Sequence, residues 1–301
     1  MKRFLKNNIL IIVIIVIVSI IFLNADYKVI KNQNKIEQYH NDLVKKCKKA
    51  EEYKDENEAE LCRLVLNQKE IDVDFYTLYS EALAMYVRNI YYFAFLIVVI
   101  PAMIKVCKKL KYKQIINSNS RESYHSFLKK LLKIAYQYIW VLALLCLIMM
   151  LPIMMNTTMN PEYAISYNSS FWETNTMQHP VLFVIAYLIN ITLYSMIFIH
   201  IALLVARKQQ KTIPCILISY ILYLAIEIFL ETIVRLIIIR GIFHSELGMI
   251  LNIINVFGMN DLYGVGTLLM VNLCMVLISF TLVYLVYKNK EKFVIQCEKN
   301  K

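Results

Sequence analysis

The sequence predicts an all-α, polytopic integral membrane protein, with six transmembrane helices and an external helical insert between spans one and two. Three observations lead there. Of the 301 residues, 59% are hydrophobic and 18% charged, against about 45–50% and about 25% in soluble domains. Six separate stretches are apolar over or near the roughly 20 residues that carry an α-helix across hydrocarbon. Five Gly and five Pro are few for the turns of a β-barrel or for a fibrous repeat.

The first stretch, Ile9–Leu23, and the second, Ile90–Ile104, are short as bare apolar runs. Their helices recruit flanks, Phe4 and Leu5 in one case and Ala82–Val87 in the other. Ile134–Met155, Val181–Ala206, Ile213–Ile239 and Val265–Tyr287 are long enough alone. All six are apolar around the whole helix, the pattern of a segment surrounded by lipid and other helices. The domains expected are therefore 1–23 as a cytoplasmic N-terminus with span one, 24–89 as the insert, and 90–301 as a five-span membrane domain. Leu23-Asn24-Ala25 is a weak version of a signal-peptidase site, so span one reads as an uncleaved anchor.

Orientation follows from basic residues, which cytoplasmic loops hold. The N-terminus carries Lys2, Arg3 and Lys6, the stretch after span two carries Lys105, Lys108, Lys109, Lys111 and Lys113, and the one after span four Arg207, Lys208 and Lys211. The alternate loops, Asn156–Pro180 and Gly241–Gly264, contain no Lys or Arg. Both termini are thus expected in the cytoplasm of a cell-membrane protein. The insert, with nine Lys and two Arg against thirteen Asp and Glu between Asn24 and Arg88, is long enough to translocate regardless of charge. The chain's net charge of +11 then lies mainly on the inner face, where anionic lipids are the expected partner. Charge confined to short juxtamembrane loops is not a nucleic-acid footprint.

Within the insert, Ile36, Tyr39, Leu43, Cys47 and Ala50 recur at helical spacing, and Lys54–Asn57 is a polar break before Leu61, Leu64 and Val65. A hairpin folded at that break brings Cys47 and Cys62 together, where an external disulfide is chemically permitted and two partly buried thiols are the alternative. The other five cysteines show no metal-ligand spacing, and nothing in the sequence calls for a cofactor. In the loop before span three, Asn119 with Glu122 reads as a capping box. Tyr124, Phe127, Leu128, Leu131 and Leu132 then form an apolar face opposite Lys129, Lys130 and Lys133, giving an amphipathic helix over 120–133. An interfacial anchor and a docking helix for a cytoplasmic partner both need that surface.

Span five carries Glu227, Glu231 and Arg235 at i, i+4, i+8, stacked on one helix face. At 1.5 Å per residue from Ile213, Glu227 lies roughly 21 Å and Glu231 roughly 27 Å into the bilayer. Charged groups at such depth face a protein interior or an aqueous path, so the three are candidates for a polar translocation route, with a structural ion pair as the alternative. His200, Asn190 and Asn272 read as helix-packing hydrogen-bond groups. The segment 241–264 alternates apolar residues with Asn252, Asn255, Gly258 and Asn260, which suits short helices re-entering the outer leaflet.

This layout resembles the permease subunits of type-two ABC exporters across the whole chain as topology. Ser120-Arg121 to Ile134 stands in the place of the coupling helix and Leu251–Leu262 in that of the outer re-entrant helices. Ser120-Arg121 is all that this chain has of the Pro-Ile-Ser-Arg-like stretch carried by many members. The resemblance implies a separate cytoplasmic ATPase, a second permease copy or homologue, and an ATPase-docking helix made by Arg121, Tyr124, Phe127, Leu128 and Leu131. The other functional class is a non-transporting membrane accessory, immunity or sensor protein. An enzyme is not expected, since there is no G-x-x-x-x-G-K-[ST] and no H-E-x-x-H. Glu227, Glu231 and Arg235 with His200 and His244 bear a faint resemblance to membrane proteases of the CAAX-processing and bacteriocin-immunity class, whose adjacent glutamate pair is missing here.

The charge pattern makes a direct prediction. Single cysteines placed at Asn168 and Asn260 will react with a membrane-impermeant maleimide added to sealed cells, and one at Asn119 will not. Labelling at Asn119 from outside would invert the orientation.

Overall fold

A computed structural model describes residues 2–49, 62, 75–83, 90–110, 123–157, 179–244 and 265–289. These form α1 (Lys2–Lys49), α2 (Phe75–Glu81), α3 (Ile90–Leu110), α4 (Tyr124–Tyr136), α5 (Trp140–Asn156), α6 (Pro180–Lys208), α7 (Thr212–Phe229), the π-helix π1 (Leu230–Ile242) and α8 (Val265–Tyr287). Five described segments are long and apolar enough to cross a membrane: Ile11–Lys48, Tyr124–Asn156, Pro180–Lys208, Thr212–Ile242 and Val265–Tyr287. The protein is a multi-pass helical membrane protein. The second expected span corresponds to α3, which is not among these five; its 21 residues end in turns carrying Lys105, Lys108 and Lys109.

The chain divides into two compact units, one comprising 1–18, 89–147 and 170–301 and the other 19–88 and 148–169. In the larger unit α6 is the central helix, packing against α3, α4, α7 and α8. Proline at its first position fits there, because that N–H has no partner in the helix. The helix stops where the Gln209 N–H bonds back to the Val205 carbonyl at 2.9 Å. Phe95 of α3, Phe198 of α6 and Tyr223 of α7 meet in one aromatic cluster, with ring centroids 4.8–5.3 Å apart in stacked and edge-to-face pairs. Such pairs add about 0.5–1.5 kcal/mol each beyond the area they bury. Helix α8 buries Val265, Leu268, Asn272, Val276, Val283 and Tyr287, a helical stripe facing its neighbours, and leaves Leu273, Leu277, Phe280 and Leu285 outside.

Helix α4 begins after Ser123, whose hydroxyl accepts from the Ser126 N–H at 3.3 Å. This cap lies four residues beyond Asn119, and the Asn119 and Glu122 capping box falls outside the described residues. Only the turn at 137–139 separates α4 from α5, so an amphipathic helix runs directly into a span. Phe127, Leu131 and Ala135 of α4 are buried, and Lys105 lies over the Tyr138 ring, 5.0 Å from its centroid. Cation–π attraction at that distance ties the end of α3 to the turn.

Span five departs from the expected continuous α-helix. From Leu230 onward the backbone is π-helical, ending with the Phe243 N–H on the Ile238 carbonyl at 3.2 Å. The i→i+5 bonds widen each turn. The re-entrant segment expected at 241–264 falls outside the described residues from position 245 on.

In the smaller unit the latter part of α1 continues without a break past Leu23, since no Gly or Pro occurs between Lys2 and Lys49. Its 48 residues extend roughly 72 Å, well beyond the roughly 30 Å of hydrocarbon. Phe22, Ala25, Asp26 and Val29 form a buried stripe on it. Helix α2 buries Phe75, Tyr76, Leu78 and Tyr79, with Phe75 stacked on Tyr79 at 5.5 Å. Cys47 and Cys62 are joined in a disulfide with their Cα atoms 5.3 Å apart. Closing a loop of this length removes unfolded-state entropy worth about 3 kcal/mol. Peptide mapping without reductant will recover the Cys47 and Cys62 peptides linked, and Cys47→Ser will lower the stability of this unit by about that amount. Two alkylatable thiols at these positions would refute the bond.

Candidate functional site

Three polar groups on α6 each find a partner on another helix. Asn190 accepts from the Asn272 side-chain amide of α8, and both residues are fully buried. The buried Tyr194 donates its hydroxyl to Glu227 Oε1 on α7. His200, also fully buried, sits between Tyr136 of α4, whose hydroxyl is 2.6 Å from Nε2, and Ser279 of α8, whose Oγ is 2.7 Å from Nδ1. Ser279 spends its own proton on the Val276 carbonyl at 3.0 Å. Its oxygen is thus left to accept from Nδ1–H, and a ring protonated there alone accepts the Tyr136 hydroxyl at Nε2.

Glu227, read from the sequence as a candidate for a polar route, lies at the junction of α6 and α7. It is half-buried, takes the Tyr194 hydrogen bond across the helix interface, and has Tyr223 beside it one turn earlier on its own helix. Cys215, Ser219 and Tyr223, the buried residues of α7, lie at four-residue steps that lead to Glu227. Glu231 and Arg235, in π1, form an ion pair with side chains 34% and 17% exposed. The structure thus separates the three: Glu227 belongs to a tyrosine-lined junction of α6 and α7, and Glu231 with Arg235 to a pair within one helix. Arg235 Nε is buried without a hydrogen bond, which leaves a donor for which the geometry provides no acceptor.

Of the residues assigned to docking, Phe127 and Leu131 turn inward and are each 3% exposed. Tyr124 donates to the Tyr287 carbonyl at 2.7 Å, Leu128 is half-buried, and Arg121 lies outside the described residues. The face of α4 left at the surface is His125, Lys129, Lys130 and Lys133. Cys107 of α3 and Cys215 of α7, distant in sequence, are buried neighbours. Among the described residues no group of three or more His, Cys, Asp or Glu side chains is placed to hold a metal ion. His244 takes a left-handed backbone, φ 50°, at the far end of π1 from His200's helix partners.

No protein-family model, curated protein or solved structure matches this chain. The partners Tyr194, Tyr136 and Ser279 escaped the sequence reading because they are joined to Glu227 and His200 only by helix packing. Tyr223, four residues before Glu227, was the one visible signal.

A double-mutant cycle tests the junction. Tyr194→Phe keeps the ring and removes the donor, and should lower stability in detergent by about 1–3 kcal/mol. In a Glu227→Leu background the same change should cost well under half as much, because no carboxylate then remains to be left unpaired. Equal costs in both backgrounds would show that the hydroxyl contributes nothing through Glu227.

Proposed function

We propose that this chain is the membrane-spanning permease subunit of an ATP-driven exporter, working with a separate cytoplasmic ATPase and a second permease copy or homologue. What carries the reading is the continuity of α4 with α5. A helix whose buried face is packed against α3 and α6, and whose far end runs into a span through a single turn, transmits a push at its surface directly to the membrane helices. Such coupling is what an ATPase lacking any membrane segment requires of its partner.

The buried positions of Phe127 and Leu131 change which side chains meet the ATPase. In this reading the contact falls to Lys130 and Lys133 of the exposed basic face, and an acidic groove on the ATPase is their complement. The Glu227 junction supplies a polar point among apolar helices, where a transported group with a hydrogen-bond donor can replace a tyrosine hydroxyl. Both termini lie in the cytoplasm in this arrangement, and the chain itself performs no hydrolysis.

Charge reversal separates docking from folding. Lys130→Glu with Lys133→Glu will reduce co-purification with the cognate ATPase by about tenfold while membrane insertion and thermal midpoint stay unchanged. Glu227→Gln will leave association intact and lower substrate-stimulated ATP hydrolysis in liposomes. If no ATPase accompanies the unmutated chain, the accessory or sensor reading replaces this one.

A further inference from the structure

A cavity of about 280 Å³ opens between α4 and the adjoining ends of α6 and α8. Leu128 and Leu132 of α4 form one wall, and Leu203, Phe280 and Val283 form the other. At the floor, Tyr287 has already committed its polar atoms. Its hydroxyl donates to the Leu203 carbonyl at 2.9 Å, and its carbonyl accepts from Tyr124. Whatever enters therefore meets carbon.

His125 and Lys129 also line the cavity, one turn apart on α4; both are exposed, so their polar ends reach the surface beside it, and Lys129 makes no ion pair among the described residues. An apolar body with an anionic head fits this combination. Its place is beside an amphipathic helix at the end of the bundle that the basic loops assign to the cytoplasmic boundary, where inner-leaflet lipids present both features at this depth.

We infer that the groove binds one anionic phospholipid, an acyl chain lying between α4 and α8 with the phosphate held at Lys129 and His125. The site is independent of whether the chain transports anything. It converts a diffuse attraction of basic loops for anionic lipid into a defined position, and the bound chain fills space that would otherwise separate α4 from the end of α8.

The test is native mass spectrometry of the full chain in detergent with equal amounts of phosphatidylglycerol and phosphatidylcholine. The unmutated protein should retain a single phosphatidylglycerol in preference to phosphatidylcholine, and Lys129→Glu should reduce that preference by about tenfold. Lys130→Glu alters the neighbouring exposed position outside the groove and should leave it unchanged. Leu132→Trp and, as a second filling variant, Leu128→Trp should abolish retention of both lipids, each read only in protein whose thermal midpoint matches the parent. Should neither filling variant retain that midpoint, the charge pair alone decides. Equal retention of the two lipids by the parent, equal effects of Lys129→Glu and Lys130→Glu, or undiminished retention in a folded filling variant would each overturn the site.

Discussion

The larger unit depends on the polar side chains of α6. In hydrocarbon there is no hydrophobic gain from moving a leucine out of lipid and onto another helix, so packing and interhelical hydrogen bonds decide which helices adjoin. Asn190, Tyr194 and His200 bond to α8, to α7, and to α4 with α8 respectively. Each group has more to lose from lipid than from a specific neighbour. Three side chains on one helix thereby fix the positions of three others, and the aromatic cluster of Phe95, Phe198 and Tyr223 adds α3 to the set by shape.

That dependence explains what could be read from the sequence. Span existence is a matter of composition over a window, and the stretches at Ile134, Val181, Ile213 and Val265 lie within segments long and apolar enough to cross, the first of them interrupted by the turn at 137–139. The proximity of Cys47 and Cys62 was legible in a helical repeat and a polar break, both local, while the sequence left open whether they form a bond or remain two thiols. The junction at Glu227 did not follow, because Tyr194 lies 33 residues away and nothing in either segment names the other. The inward turn of Phe127 and Leu131 was hidden for a related reason. An amphipathic pattern states that one face avoids water, and lipid, a protein partner and the chain's own bundle satisfy it equally. The change to π-helix at Leu230 has no sequence signature in the apolar run around it, since Ile, Leu and Val accompany either winding.

The two polar arrangements on α7 and π1 differ in what they cost. Glu227 is served by the Tyr194 hydroxyl, with Tyr223 beside it, a solution that meets the carboxyl group's demand with neutral groups. Glu231 is served by a full opposite charge from Arg235, at the expense of holding an arginine whose Nε remains unmatched. Neutral donors can be exchanged for another donor of similar strength, whereas an ion pair is left with a bare charge if either member leaves. The hydrogen bond to Glu227 is thus the easier of the two arrangements to exchange, and the ion pair beyond it the harder.

The π-helical winding has a rotational consequence for that line of residues. In an α-helix four residues turn roughly 400°, so a row at four-residue steps drifts by about 40° each time around the axis. From Cys215 to Glu227 the row precesses in this sense. A π turn takes more residues per revolution, so beyond Leu230 the same four-residue step falls short of a full turn and the row precesses backwards. The junction between the two windings is therefore a reversal of handedness in the polar seam. Sliding that junction by a few residues along the helix would rotate Glu231 and Arg235 against Glu227 like the two sections of a combination lock, without tilting the span.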